Sequence, residues 1–321
     1  MTIKKVTLLL AILLINNTTV FADSDSKEEK STNFIITPSV AYRYDVFKWS
    51  IPSDRFPDKK RSELVWKNHI VQPSIKIQLE PKPNQFTFLG QVKYGYILKN
   101  QSKSWDHDWD FERDGTGNII SIPDSTTKSQ ATGNILDLSA AIGYSLNLFS
   151  DNLLTFYFGY DYTDYRNKNY GSHQLLYKAI SRSSSQLNQK YYFTTQSPWL
   201  GLSVNTPLNE RFTIIPTIKY YSFKHIGKGY WIHRGDLKQN PSLKNNAKGI
   251  GFGVDVDILY KCSDNLDFKI NLEARKFKMK TGQNQAFYNS FGFGGEGVAN
   301  GKLLDLTHIS SSISAGLYYK L

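Results

Sequence analysis

The segment with the clearest chemical potential is Trp105-Asp106-His107-Asp108-Trp109-Asp110, followed by Glu112 and Asp114. In an extended chain Asp106 and Asp108 point the same way, their Cα atoms roughly 7 Å apart, and His107 faces away. Two carboxylates so placed raise each other's pKa, and can share a proton or together orient a water. The plainer account is an acidic surface loop, with or without a bound cation, and spacing alone favours it. No Walker loop, paired-cysteine metal site or Gly-x-Ser-x-Gly elbow accompanies these residues. The glycine-rich run around Gly292 to Gly297 lacks the Lys-Ser/Thr ending of a phosphate loop and reads as a flexible loop.

What must position the acidic segment is a set of strands. Ten strand-like runs follow one another, at 33–47, 63–80, 86–101, 133–149, 153–166, 191–205, 211–224, 247–261, 266–279 and 303–321. Several alternate cleanly with a period of two. Phe252, Val254, Val256, Ile258 and Tyr260 share one face, and Gly253, Asp255 and Asp257 the other. Phe156, Phe158, Tyr160 and Tyr162 oppose Gly159, Asp161 and Thr163. The last run ends with Ile313, Ala315, Leu317, Tyr319 and Leu321 on one face, as the closing strand of a membrane barrel would. Connectors alternate between short (81–85, 150–152, 206–210, 262–265) and long (48–62, 102–132, 167–190, 225–246, 280–302). Short turns at one end and long loops at the other describe an all-β, up-and-down antiparallel transmembrane barrel of about ten strands. The long loops hold Trp49, Trp105, Trp109 and Trp231. Lys76, Lys93, Asp137, Asp161, Lys219, Asp255, Asp257, Lys269, Glu273 and Lys320 would face inward and form a packed charge network.

The N-terminus sets the compartment. Lys4 and Lys5 precede an apolar stretch at 6–15, and Val20 and Ala22 sit where a signal peptidase reads small residues. Residues 1–22 are therefore expected to be a signal peptide, 23–32 a polar leader and 33–321 the barrel. Mean hydropathy is −0.42, which hides a barrel because alternating strands average to polar. Aromatic residues make up 14% of the chain, which favours strands with aromatic girdles over an ordinary enzyme domain. The lone Cys262 excludes an internal disulfide framework. The net charge is +11, or +9 once Lys4 and Lys5 leave with the signal, which suits anionic lipid or lipopolysaccharide phosphates as well as solvated loops. No nucleic-acid motif accompanies the charge, so nucleic acid is not an expected partner.

Several motifs, in order, resemble the omptin family of ten-stranded outer-membrane endopeptidases of Gram-negative bacteria. Ser62-Glu63-Leu64-Val65-Trp66-Lys67 looks like the family's second-strand Ser-x-Leu-x-Trp-Lys, and Asp106-His107-Asp108-Trp109 is similar to its Asp-x-Asp-Trp. Gly159-Tyr160 through Tyr165, Pro198-Trp199-Leu200-Gly201-Leu202 and Ile218-Lys219-Tyr220-Tyr221 resemble its later strands. The resemblance implies that Asp106 and Asp108 face an Asp-x-His dyad, with a water between them and the histidine as general base. Tyr230 and Ile232 occupy the dyad positions, and His233 stands one residue away, with His225 earlier. Asp106, Asp108 and His233 are thus the candidate catalytic set, and its second half is not reproduced. Lys228 falls where an acid that selects basic substrates would be, and the first long loop is basic. The expectation is an omptin-fold surface barrel with proteolysis lost or altered. Its alternatives are an active endopeptidase, and a small porin, which a ten-stranded lumen filled by side chains disfavours. Neither a cofactor nor a metal is expected. The expected partners of the monomer are outer-membrane lipid, lipopolysaccharide as a structural partner, and host proteins or peptides.

Overall fold

In the lower two-thirds of each strand, side chains alternate between an apolar face and a polar one, and the chain closes that pattern into a ring. The computed structural model describes residues 34–113, 116, 118–148, 152–176, 182–183, 189–232, 235–291 and 295–321. The expected signal peptide 1–22 and leader 23–32, together with Asp114 and His233, lie outside the described residues. The strands are β1 (Phe34–Pro52), β2 (Lys60–Leu79), β3 (Phe86–Ile97), β4 (Lys103–Arg113), β5 (Ile119–Asn147), β6 (Leu153–Leu176), β7 (Arg182–Ser183), β8 (Lys190–Pro207), β9 (Phe212–Tyr230), β10 (Leu243–Lys261), β11 (Leu266–Phe291), β12 (Gly295–Lys302) and β13 (Asp305–Lys320). All pairings are antiparallel, and among the described residues there is no helix.

Ten runs thus become thirteen strands around ten positions. β3 and β4 share one position, since both pair with β2 on one side and β5 on the other. β7 folds back on β6 and β12 on β11 beyond the ring. β1 closes the ring on β13, from Ile35 opposite Lys320 to Ser50 opposite Asp305. The short connectors are tight. Asn84 adopts a positive φ of 56°, which asparagine tolerates in turns.

The expected long loops are mostly strand. β1 runs on to Pro52, β4 and β5 occupy much of 102–132, and β9 continues to Tyr230. Outside the bilayer the outward positions no longer need apolar side chains, so these hairpins carry no hydrophobic period to be read. The glycine-rich run likewise supplies β12 from Gly295 onward. Trp49, expected in a loop, lies in β1 and is buried on the lumen side, and Trp231, just past the end of β9 as expected, is buried with it.

The outer face has a membrane's dimensions. On β9, Phe212, Ile218 and Tyr220 are exposed, and Lys224 is the first exposed outward charge above them. Phe212 to Ser222, at ~3.3 Å per residue and a ~40° tilt, rises about 25 Å, the height of a barrel's apolar band. Phe252, Phe158, Ile313 and Leu321 are likewise 53–62% exposed, as their alternation requires. Aromatic pairs such as Phe86–Tyr144 and Phe212–Tyr260, with centroids 5.0 and 5.1 Å apart, mark the short-turn edge of the band.

Candidate functional site

The lumen is built in layers. Around its middle, Arg43 of β1 donates to both carboxylate oxygens of Asp45 and to Asp137 of β5, each at 2.7 Å. Gln72 and Thr163 also donate to Asp137, and His308 of β13 lies 3.2 Å from Asp45. Lys93 bridges to Glu273 at 2.7 Å, and Arg275 lies between Glu273 and Asp161. Nearer the short turns, Lys219 pairs with Asp255 at 2.7 Å and Lys269 with Asp257 at 2.6 Å. Apart from Lys76, which has no ion pair among the described residues, these expected inward charges pair as the alternation implies. Sequence reasoning missed Arg43, Asp45, Arg275 and His308, although each continues the same period of two.

Two of the motif residues serve this lumen. Gly159 stands directly opposite Trp199, and a Cβ there would come within 2.3 Å of the indole. The bare backbone lets the ring lie flat across it, so that Trp199 donates to Asp161 at 2.8 Å.

Above the charges lies an aromatic layer. Phe47 stacks on Phe193 at 4.5 Å, on His225 at 5.5 Å and on Tyr191 at 5.7 Å, and Tyr165 stacks on Phe193 at 4.7 Å. Trp66 covers Tyr191 at 5.1 Å, and Trp49 meets Trp231 edge to face at 6.5 Å. Phe47, Tyr165 and Tyr221 expose no surface, so this layer fills the barrel's cross-section. Some of its polar atoms are met internally, with Trp66 Nε1 donating to Asn169 and Asn68 to Tyr165, whereas Trp49 Nε1 and Tyr221 Oη have no hydrogen-bond partner among the described residues. Burial, followed by the charge of His308, pushes the His225 imidazole down to about 3, so it sits neutral beside Tyr191.

The carboxylate pair sits beyond this layer, on β4. Ser104, Asp106 and Asp108 pair with Trp66, Leu64 and Ser62 of β2, whose first two side chains are buried in the lumen. Asp106 and Asp108 therefore share the lumen-side face, and His107, opposite Glu63, points outward against Thr126 and Trp109. Ser125 donates to Asp108 at 3.1 Å and Ser62 to Asp106 at 3.4 Å, partners that spacing alone did not reveal. Burial pushes the Asp108 carboxyl up, Asp124 adds to the rise, and Ser62, Ser125 and Arg61 oppose it. The rise thus comes first from burial.

Of the histidines whose side chains are described, none joins the pair. His69 bonds to Tyr42 on the outer face, His107 points outward, His225 bonds to Tyr191 in the aromatic layer, and His308 bonds to Asp45 below it. At the expected dyad positions, Tyr230 stacks on Tyr192 at 5.4 Å and Ile232 is exposed.

Just above the apolar band, the outer face of β9, β10 and β11 carries a collar of lysines. Lys224 stands directly opposite Lys248, and Lys228 opposite Lys244, with Lys276 and Lys278 on the next strand. Like charges facing each other across strands are unfavourable by a few tenths to about 1 kcal/mol per pair.

A closed ring of lipid-facing strands around a sealed, charge-filled lumen defines a transmembrane β-barrel of the outer membrane, with a carboxylate pair at its loop-side rim. A family model for the Protochlamydia outer membrane proteins (Pom) matches residues 38–321. The chain belongs to that family. Among solved structures, it is similar to the outer membrane protease OmpT from Escherichia coli, at 15% identity with a TM-score of 0.70, over 92% of this chain and 100% of that one. The omptin-like fold expected from the motifs is therefore present. The translocator domain of the autotransporter NalP from Neisseria meningitidis matches at 11% identity and a TM-score of 0.38, over 99% and 98% of the two chains. Comparison with curated protein sequences finds no match.

Proposed function

We propose that this outer-membrane barrel is a surface protein in which omptin-type proteolysis is lost or altered. It stands as a monomer among anionic headgroups, including lipopolysaccharide, and presents its rim to host proteins or peptides. The observation that carries this reading is the placement of the imidazoles. His69 and His107 face outward and His225 and His308 lie below the rim, so the described residues do not reproduce the imidazole base that the omptin resemblance calls for. The pair of Asp106 and Asp108 suits the binding of a cationic or hydrogen-bond-donating group. The opposed lysines of the collar support the headgroup assignment, because phosphates between Lys224 and Lys248 would offset their repulsion. The filled aromatic layer argues against a porin.

The test is a mixed peptide library incubated with refolded protein and lipopolysaccharide, comparing wild type with Asp108→Ala. Equal and negligible turnover in both is expected. Cleavage by the wild type that disappears in Asp108→Ala would overturn the reading. It would favour a second one, an endopeptidase in which Asp106 and Asp108 position water for His233. The lumen-side orientation of both carboxylates and the raised Asp108 carboxyl favour that alternative, and His233→Ala would then abolish cleavage as well.

A further inference from the structure

We propose that the lower lumen, beneath the charge network, is a binding site for a small oxyanion, inorganic phosphate or a carboxylate, held by Lys76 and entered from the short-turn end. This inference does not depend on the role of the rim.

Three observations carry it. First, there is space. A cavity of about 130 Å³ runs from Pro81 in the first short turn up to Asp137. At ~10–15 Å³ of such volume per water it holds roughly ten waters, enough for a tetrahedral or planar oxyanion with part of its hydration shell. Second, Lys76 lines this cavity without an ion-pair partner among the described residues. The acids around it are taken: Asp257 by Lys269, Asp255 by Lys219, and Glu273 by Lys93 and Arg275. The charges acting most strongly on Lys76 are Lys269, Asp257, Lys219 and Asp255. Five cations and five anions line the cavity as a whole, and Lys76 is the cation among them with no direct ion pair among the described residues. An enclosed lysine without a direct partner is costly, and a small anion seated against it would supply one. Third, access is one-sided. The aromatic layer around Phe47, Phe193 and Tyr165 closes the lumen above, so an anion would arrive from the periplasmic side. Neutral donors are at hand, since Ser74, hydrogen-bonded to Ser39 at 2.7 Å, and Gln78 line the same cavity.

The experiment is isothermal titration of inorganic phosphate, and separately of acetate, into the refolded protein in zwitterionic micelles at constant ionic strength. Saturable binding of at least one anion is expected. Phosphate alone would identify the tetrahedral ligand, acetate alone the carboxylate. Lys76→Met should weaken binding at least about tenfold. Asp257→Asn adds net positive charge around Lys76 and should tighten binding severalfold, so the proposal stays testable if Lys76→Met does not refold. Absence of binding by both anions, wild-type affinity in Lys76→Met, or unchanged or weaker binding in Asp257→Asn would each overturn it.

Discussion

Removing Arg43 tests whether the lumen's charges are a framework or an incidental filling. Its guanidinium makes three charge-assisted bonds of 2.7 Å, two to Asp45 and one to Asp137. Asp45 has no exposed side-chain surface and Asp137 only 10%. Arg43→Met would leave both carboxylates enclosed. Breaking a buried ion pair from one side costs about 3–5 kcal/mol, because the surviving charge loses its compensation. That corresponds to a roughly 10²- to 10⁴-fold change in the folding equilibrium. Asp45 retains His308, and Asp137 retains Gln72 and Thr163, which places the expected loss toward the lower end. The assay is urea-induced unfolding of the refolded barrel in lipid vesicles, followed by tryptophan fluorescence. Adding Asp137→Asn to Arg43→Met should recover part of the loss, since the double variant encloses one uncompensated carboxylate fewer. If Arg43→Met unfolds at the wild-type urea concentration, or if Asp137→Asn adds to the damage, the framework argument is wrong.

Other outcomes follow from the upper layers. Phe193→Ala should cost about 3–5 kcal/mol through the cavity it leaves, and should raise conductance in planar bilayers by thinning the seal. His225, held near 3 in the folded barrel and titrating near 6.5 when unfolded, stabilises the fold fully above pH 6.5, and this contribution fades as pH falls toward 3. His225→Phe should flatten that acid limb in urea midpoints taken across pH. Asp108 has the opposite sign: its raised carboxyl binds protons more readily folded than unfolded, so stability declines as pH rises through its folded titration. Asp108→Asn should remove that decline and raise the urea midpoint at neutral pH. Gly159→Ala should push Trp199 off Asp161, visible as a shift in tryptophan emission together with a lower urea midpoint.

The barrel was legible because lipid imposes a period of two. Phe156, Phe158 and Tyr160 must face outward, and Asp161 is carried inward by geometry alone. The pairings were not legible, because Arg43 and Asp137 meet across 94 residues and only ring closure brings such strands together. The hairpins above the bilayer were hidden for a related reason: once outside lipid, Lys224, Lys228 and Thr126 satisfy a strand as well as Ile or Phe would. At the rim, the shared face of Asp106 and Asp108 follows from their i, i+2 spacing. The burial that lifts Asp108, and the serines from β2 and β5 that oppose it, depend on neighbours far away in sequence. Trp49 was misplaced because a tryptophan in a polar stretch reads as a loop residue, whereas here the polar stretch is a strand whose inner face is capped; Trp231 does lie past the end of β9, packed on Trp49.

The way the charges are shared among strands constrains the order of assembly. Some pairs are local, Arg43–Asp45 and Arg275–Glu273 within one strand and Lys219–Asp255 and Lys269–Asp257 within a hairpin, but Arg43–Asp137, Arg275–Asp161 and Lys93–Glu273 join strands that only ring closure brings together. A half-formed sheet laid into hydrocarbon would present bare guanidinium and carboxylate groups to lipid. Insertion and ring closure are thus thermodynamically bound to each other: the chain gains little by entering the bilayer early, and its first and last strands must meet as it does so.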